Sequence, residues 1–126
     1  MSILKDTTLT EQLIHIRDMT VSCHIGLTDE ERERPQRLRL NVTLTLDPQA
    51  TPNDAIDETI NYGTLTKVVR QTVLENRVRL LETLFDQVVE ACFFDDRIKK
   101  VAVKIEKLDR YPDVAGIGIE MVRERN

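Results

Sequence analysis

The stretch that most constrains the fold is Arg37 to Asp47. Leu38, Leu40, Val42, Leu44 and Leu46 alternate there with Arg37, Arg39, Asn41, Thr43 and Thr45. A period of two puts the apolar side chains on one face of a strand and the polar ones on the other. A strand with one dry face and one wet face belongs in an antiparallel sheet covered on its dry side. Asp47-Pro48 ends the run, and Pro48 to Asp57 reads as a turn-rich connection.

The cover for that face follows in the sequence. Leu65, Val68, Val69, Thr72 and Val73 recur at i, i+3, i+4, i+7 and i+8, the spacing of one helix face, with Thr64 as the expected N-cap. A second helix is expected from Leu80 to Phe94, with Leu81, Leu84, Phe85, Val88, Val89 and Cys92 as its inner stripe. Before the clean strand, Leu13 to Cys23 reads as a strand whose phase changes. Ile14 and Ile16 set one alternation and Met19, Val21 and Cys23 the other, which predicts a bulge near Asp18. Gly26 breaks that pattern, and Leu27 to Gln36 reads as a charged loop.

Val101, Val103 and Ile105 start a third strand, and Ala115 to Val122 a fourth, joined through Asp109, Pro112 and Asp113. The order ββααββ gives an α+β fold: a four-stranded antiparallel sheet with both helices on one face. The polar face of the Arg37–Asp47 strand is then left to solvent, or to the water-filled hole of a ring of subunits. A single domain over residues 1–126 is expected, residues 1–11 being polar and mobile.

Composition narrows the function. The net charge is −4, and the 32% of charged residues are of mixed sign, which argues against non-specific nucleic-acid binding. No apolar run approaches the roughly 20 residues of a membrane span, and MSILKDTTLTEQ lacks the features of a signal peptide. A cytoplasmic location is the expectation. Cys23 and Cys92 are too few for a disulfide framework, and His15 and His24 have no metal-ligand spacing, so neither a metal nor a cofactor is expected.

Lys107 falls on the same strand face as Val101, Val103 and Ile105, which places an ammonium in register with an apolar surface. Gly116 and Gly118 in the neighbouring strand are expected to leave room for a ligand beside it. Glu82 opens the second helix, where a carboxylate is favoured by the helix dipole, and borders the apolar stripe. A carboxylate placed there can receive a planar ring through two adjacent N–H donors. Glu31 in the charged loop and Tyr62 before the first helix complete the set of candidates.

Gly26 with Glu31, Pro35-Gln36, Ile60-Asn61-Tyr62-Gly63, Leu80-Leu81-Glu82, Ile105-Glu106-Lys107 and Gly116-Ile117-Gly118-Ile119-Glu120 occur in that order. This succession, from about residue 12 to the end, resembles the dihydroneopterin aldolases. The resemblance implies the tunnelling fold, a pterin substrate and a place in folate biosynthesis. Glu82 and the Leu81 backbone would anchor the amino-pyrimidinone edge of the ring. Tyr62, from a neighbouring subunit, would cover the ring and share in proton transfer. Lys107 would be the general acid/base, acting through a water, and Glu31 would hold the substrate hydroxyls and the lysine. The family builds octamers from two stacked tetrameric rings, so a homo-oligomer is implied.

Two features depart from the aldolases. Glu75-Asn76-Arg77 and Lys107-Leu108 are similar to the sister branch, the dihydroneopterin triphosphate epimerases, whereas Gly116 to Glu120 is similar to the aldolases. Aldolase is the preferred reading, epimerase the first alternative and a non-catalytic pterin-binding ring protein the second.

Overall fold

The structure, a computed structural model, describes residues 2–48 and 54–126. Its strands are β1 (Gln12–Cys23), β2 (Gln36–Leu46), β3 (Ile98–Lys107) and β4 (Ile117–Glu124). They form one antiparallel sheet in the order β1-β2-β3-β4. The helices are α1 (Asp29–Glu33), α2 (Tyr62–Glu75) and α3 (Leu81–Cys92). The α+β layering expected from the alternation of Leu38 to Leu46 is therefore found, with α2 against β1 and α3 against β3 and β4.

The core is the dry face of the sheet closed by the inner stripes of α2 and α3. Leu38, Leu40, Val42 and Leu44 are fully buried, as are Val101, Val103 and Ile105. Leu65, Val69 and Val73 face them from α2, and Leu84, Phe85, Val88, Val89 and Cys92 from α3. The phase change in β1 is a bulge between Ile16 and Met19, with Asp18 at φ 54°. Asn41 stabilises it by accepting the Asp18 N–H at 3.0 Å. An aspartate tolerates this left-handed conformation better than most residues.

The polar face carries an ion-pair network. Arg37 forks onto Asp109, Arg39 onto Glu106, and Lys104 stands 3.9 Å from the same Glu106.

Several local expectations are corrected. Within the polar N-terminal stretch, Ile3–Asp6 form a 3-10 turn capped by Ser2. Leu27 to Gln36 is not all loop: Thr28 caps α1 by accepting the Glu31 N–H at 3.0 Å. The helix signal was Thr28-x-x-Glu31, the pattern of a capping box. The N-cap of α2 is Asn61, not Thr64; its side chain accepts from Gly63 and Thr64, so Tyr62 is the first helical residue. Half of the connection read as turn-rich from Pro48 to Asp57, residues 49–53, lies outside the described residues, and its end is a 3-10 turn at Ile56–Glu58.

Candidate functional site

Lys107 ends β3, paired to Leu38 on one side and Ile117 on the other. It continues the buried face of Val101, Val103 and Ile105 but is itself only half-buried, because the start of α3 leaves a gap over it. That gap is a cleft of about 290 Å³ lined by Leu81, Glu82, Lys107, Arg79, Arg110 and Gly118, among others. Its position follows from the chain path. Ile25 bridges Val78, and the Gly26 N–H donates to the Val78 carbonyl at 3.2 Å, drawing the α2–α3 connection against the loop after β1. The chain enters α3 from there with Leu80 as N-cap, and no side chain caps the first turn. The N–H groups of a helix start favour acceptors and negative charge, so this end of α3 is suited to a polar ligand.

Glu31 lies beside this cleft rather than in it. It lines an adjoining cavity of about 370 Å³ with Arg34, Pro35, Gln36, Asp109 and Arg110, and Arg110 lines both spaces. The loop that carries Glu31 is tied down at several points. Gln36 donates its amide to the Ile25 carbonyl at 2.6 Å, and Arg32 donates to the Gly26 carbonyl at 2.9 Å and pairs with Asp29. A Cβ on Gly26 would stand 2.3 Å from the Glu31 Cβ, so the glycine is what lets this side chain fold inward. Among the described residues Glu31 and Lys107 are not within ion-pairing distance of one another. The other carboxylate of the adjoining cavity, Asp109, is held by the Arg37 side chain at 2.6 Å and its backbone N–H at 3.1 Å. These bonds hold its carboxyl below the usual carboxylate range.

Cys23 is the hidden neighbour of Lys107. Burial pushes its thiol up to about 11, and the nearby lysine charge opposes that rise without cancelling it. At neutral pH the group is therefore a protonated thiol, and it is not poised as a nucleophile.

Tyr62 is elsewhere. It is 70% exposed and lines a hollow of about 640 Å³ along β1 with Ile14, Ile16 and Thr66. One chain thus brings together Leu81, Glu82 and Lys107, sets Glu31 next to them, and leaves Tyr62 apart.

Gly118 in β4 and Gly116 just before it also meet the neighbouring strand. A Cβ on Gly118 would fall 1.7 Å from the Ile105 carbonyl oxygen, and one on Gly116 would fall 2.7 Å from Glu106 Oε2. Close approach to the β3 backbone requires glycine at 118, which also borders the cleft, whereas at 116 a side chain would have to displace only the end of the Glu106 side chain. Sequence reasoning missed Arg79 and Arg110. Each stands within three residues of a singled-out position, Leu81 or Lys107, and that adjacency was the available signal.

Fold and cleft together define an α+β protein with an open cleft where the start of one helix meets the ends of two strands. The chain belongs to the dihydroneopterin aldolase family, whose model matches residues 14–122. It is 30% identical over 114 residues to the dihydroneopterin triphosphate 2'-epimerase of Escherichia coli, covering 88% of this chain and 95% of that one. It is 28% identical over 97 residues to the dihydroneopterin aldolase of Streptomyces coelicolor, covering 76% and 82%. Among solved structures, a dihydroneopterin aldolase from Burkholderia thailendensis bound to guanine superposes with a TM-score of 0.80 at 27% identity, covering 92% of this chain and 93% of that one.

Proposed function

We propose that this protein is a lyase of folate biosynthesis that cleaves dihydroneopterin to hydroxymethyl-dihydropterin and glycolaldehyde. The observation that carries this reading is the single cleft shared by Leu81, Glu82 and Lys107. The Glu82 carboxylate accepts the two adjacent N–H groups of the amino-pyrimidinone edge, a charge-assisted pair. The relative bound to guanine favours this assignment, because guanine presents the same edge as a pterin. The ring's side chain then lies toward Lys107.

A retro-aldol step needs a base for the C2′ hydroxyl proton and an acceptor for the electrons of the C1′–C2′ bond. Lys107, through an ordered water, takes the proton as the C2′ carbonyl forms. The bond electrons pass into the C=N bond of the dihydropterin ring, and a proton returned to C1′ completes the product. Glu31, from the adjoining cavity, holds the side-chain hydroxyls. The ring supplies the electron sink, so the protein's part is orientation and proton transfer.

Tyr62 covers the ring only if a second copy supplies it. Among the described residues β1 and β4 are the outer strands of the sheet, an order that suits a ring closed edge to edge. We assign a homo-oligomer, an octamer of two stacked rings, built on a single domain and placed in the cytoplasm. Among the described residues no helix is long and apolar enough to cross a membrane. Light scattering with simultaneous activity measurement is expected to give an oligomer; a fully active monomer overturns the role of Tyr62.

The second reading is the epimerase, favoured by the Escherichia coli relative and by Glu75-Asn76-Arg77 and Lys107-Leu108. Product analysis decides between the two. Glycolaldehyde is expected from dihydroneopterin. Its absence, together with conversion of dihydroneopterin triphosphate to its 2′-epimer, sinks the lyase assignment.

A further inference from the structure

Four large apolar side chains left exposed by the fold, Leu27, Leu80, Tyr111 and Ile117, come from four separate segments and meet on the walls of one cleft, the one that holds Lys107. Single exposed apolar residues are ordinary, whereas a gathering of them around a concave space marks a ligand surface. Glu82 can satisfy only the polar edge of a ring placed there. The two faces of such a ring present no N–H or O–H groups and are matched by flat or aliphatic walls. Among the described residues that line the cleft, only Tyr111 is aromatic. Tyr62, the chain's other tyrosine, lines the hollow along β1.

Tyr111 is also held in place. Two residues before it, Asp109 accepts from the Arg37 guanidinium at 2.6 Å and from the Arg37 backbone N–H at 3.1 Å. The Leu108 N–H donates to the Arg37 carbonyl at 3.1 Å, so the loop after β3 is latched to the start of β2 from both sides of Asp109. After the ring, the Val114 N–H closes a turn on the Tyr111 carbonyl at 3.4 Å, with Pro112 restricting the backbone between them. The Arg110 guanidinium carbon lies 4.8 Å from the ring centre, a cation braced on the ring. A wall set before the ligand arrives costs little to order on binding.

We infer that Tyr111 is a further ligand-binding residue of this cleft, an aromatic wall against one face of the bound ring, and that the Asp109–Arg37 latch sets it there. The inference rests on the pterin reading, which places a planar heterocycle between Glu82 and Lys107. The contact is made by the ring of Tyr111 and not by its hydroxyl. It comes from the same chain as Glu82 and Lys107, so it differs from the cover that Tyr62 of a second copy supplies.

Calorimetric titration with neopterin tests it on the wild-type protein, Y111A, Y111F, D109N and the Y111A/D109N double variant. Y111A is expected to weaken binding by about tenfold, the loss of an aromatic face contact and its buried area. Y111F keeps the ring and is expected to stay within about twofold of the wild type. Asp109 does not line this cleft, and D109N is expected to weaken binding by about threefold through the loosened wall. In the Y111A background D109N is expected to do nothing further, because the latch acts only through the tyrosine. Tyr111 and Asp109 are both exposed, and D109N reads the contact with the tyrosine left intact. Wild-type affinity in Y111A, or equal losses in Y111A and Y111F, overturns the inference while binding by the wild-type protein keeps the pterin reading standing. A D109N effect that adds in full to that of Y111A overturns the latch. A wild-type protein that does not bind neopterin overturns the pterin reading and the inference together.

Discussion

Replacing Lys107 with alanine is expected to lower glycolaldehyde release by about a hundredfold to ten-thousandfold, the range removed with a positioned general acid/base. Pterin affinity is expected to change by only a few fold, because the proposed ring contacts are with Glu82 rather than with the lysine. Lys107 is on the buried face of β3 but at its last residue, where α3 no longer covers it, so its ammonium opens onto the cleft. Steady-state assays paired with neopterin titration separate turnover from binding. A Lys107→Ala protein that keeps wild-type turnover removes the lysine from the mechanism. A wild-type protein that binds pterin but turns over no substrate favours the non-catalytic ring protein.

Glu82→Ala is expected to weaken neopterin binding by about a hundredfold or more, since it removes the acceptor of two charge-assisted bonds, each contributing on the order of 1.5–3 kcal/mol. Glu82→Gln keeps the shape but loses the charge, and an intermediate loss of about tenfold is expected by the same reasoning. The fold should tolerate both changes. Glu82 is exposed and forms no ion pair among the described residues, and substitutions at such positions usually shift stability by no more than about 0.5 kcal/mol. A melting temperature that collapses with Glu82→Ala would assign the residue to the fold instead. Affinity left intact would move the ring away from it.

The elements were legible where one period dominated. Leu38 to Leu46 alternates without a break, and its face is buried residue by residue as read. The bulge at Asp18 was legible because the apolar set changes phase on either side of it. The start of α2 was misplaced because Asn61 and Thr64 are both good caps, and sequence alone does not say which side chain turns back on the helix. Helix α1 was hidden by its five charged residues, which carry no apolar periodicity; only its Thr28 cap marks it.

The site was legible in part, for physical reasons that differ by residue. Lys107 and Glu82 stand out because each breaks an apolar pattern at an element's end. That they share a cleft depends on the pairing of Ile25 with Val78, which no local pattern encodes. Gly116 and Gly118 were visible, but their contacts with Glu106 and Ile105 on the neighbouring strand were not. Arg79 and Arg110 were invisible because exposed arginines are ordinary until the fold shows which of them border a cleft.

The central claim is that the gap between the start of α3 and the ends of β3 and β4 holds a pterin ring against Glu82. A crystal structure of the protein with neopterin tests this directly. The amino-pyrimidinone edge is expected within hydrogen-bond distance of the Glu82 carboxylate and the Leu81 backbone, with the side chain extending to Lys107. Neopterin bound instead along β1 in the hollow beside Ile14 and Ile16, with the Lys107 cleft empty, would contradict it.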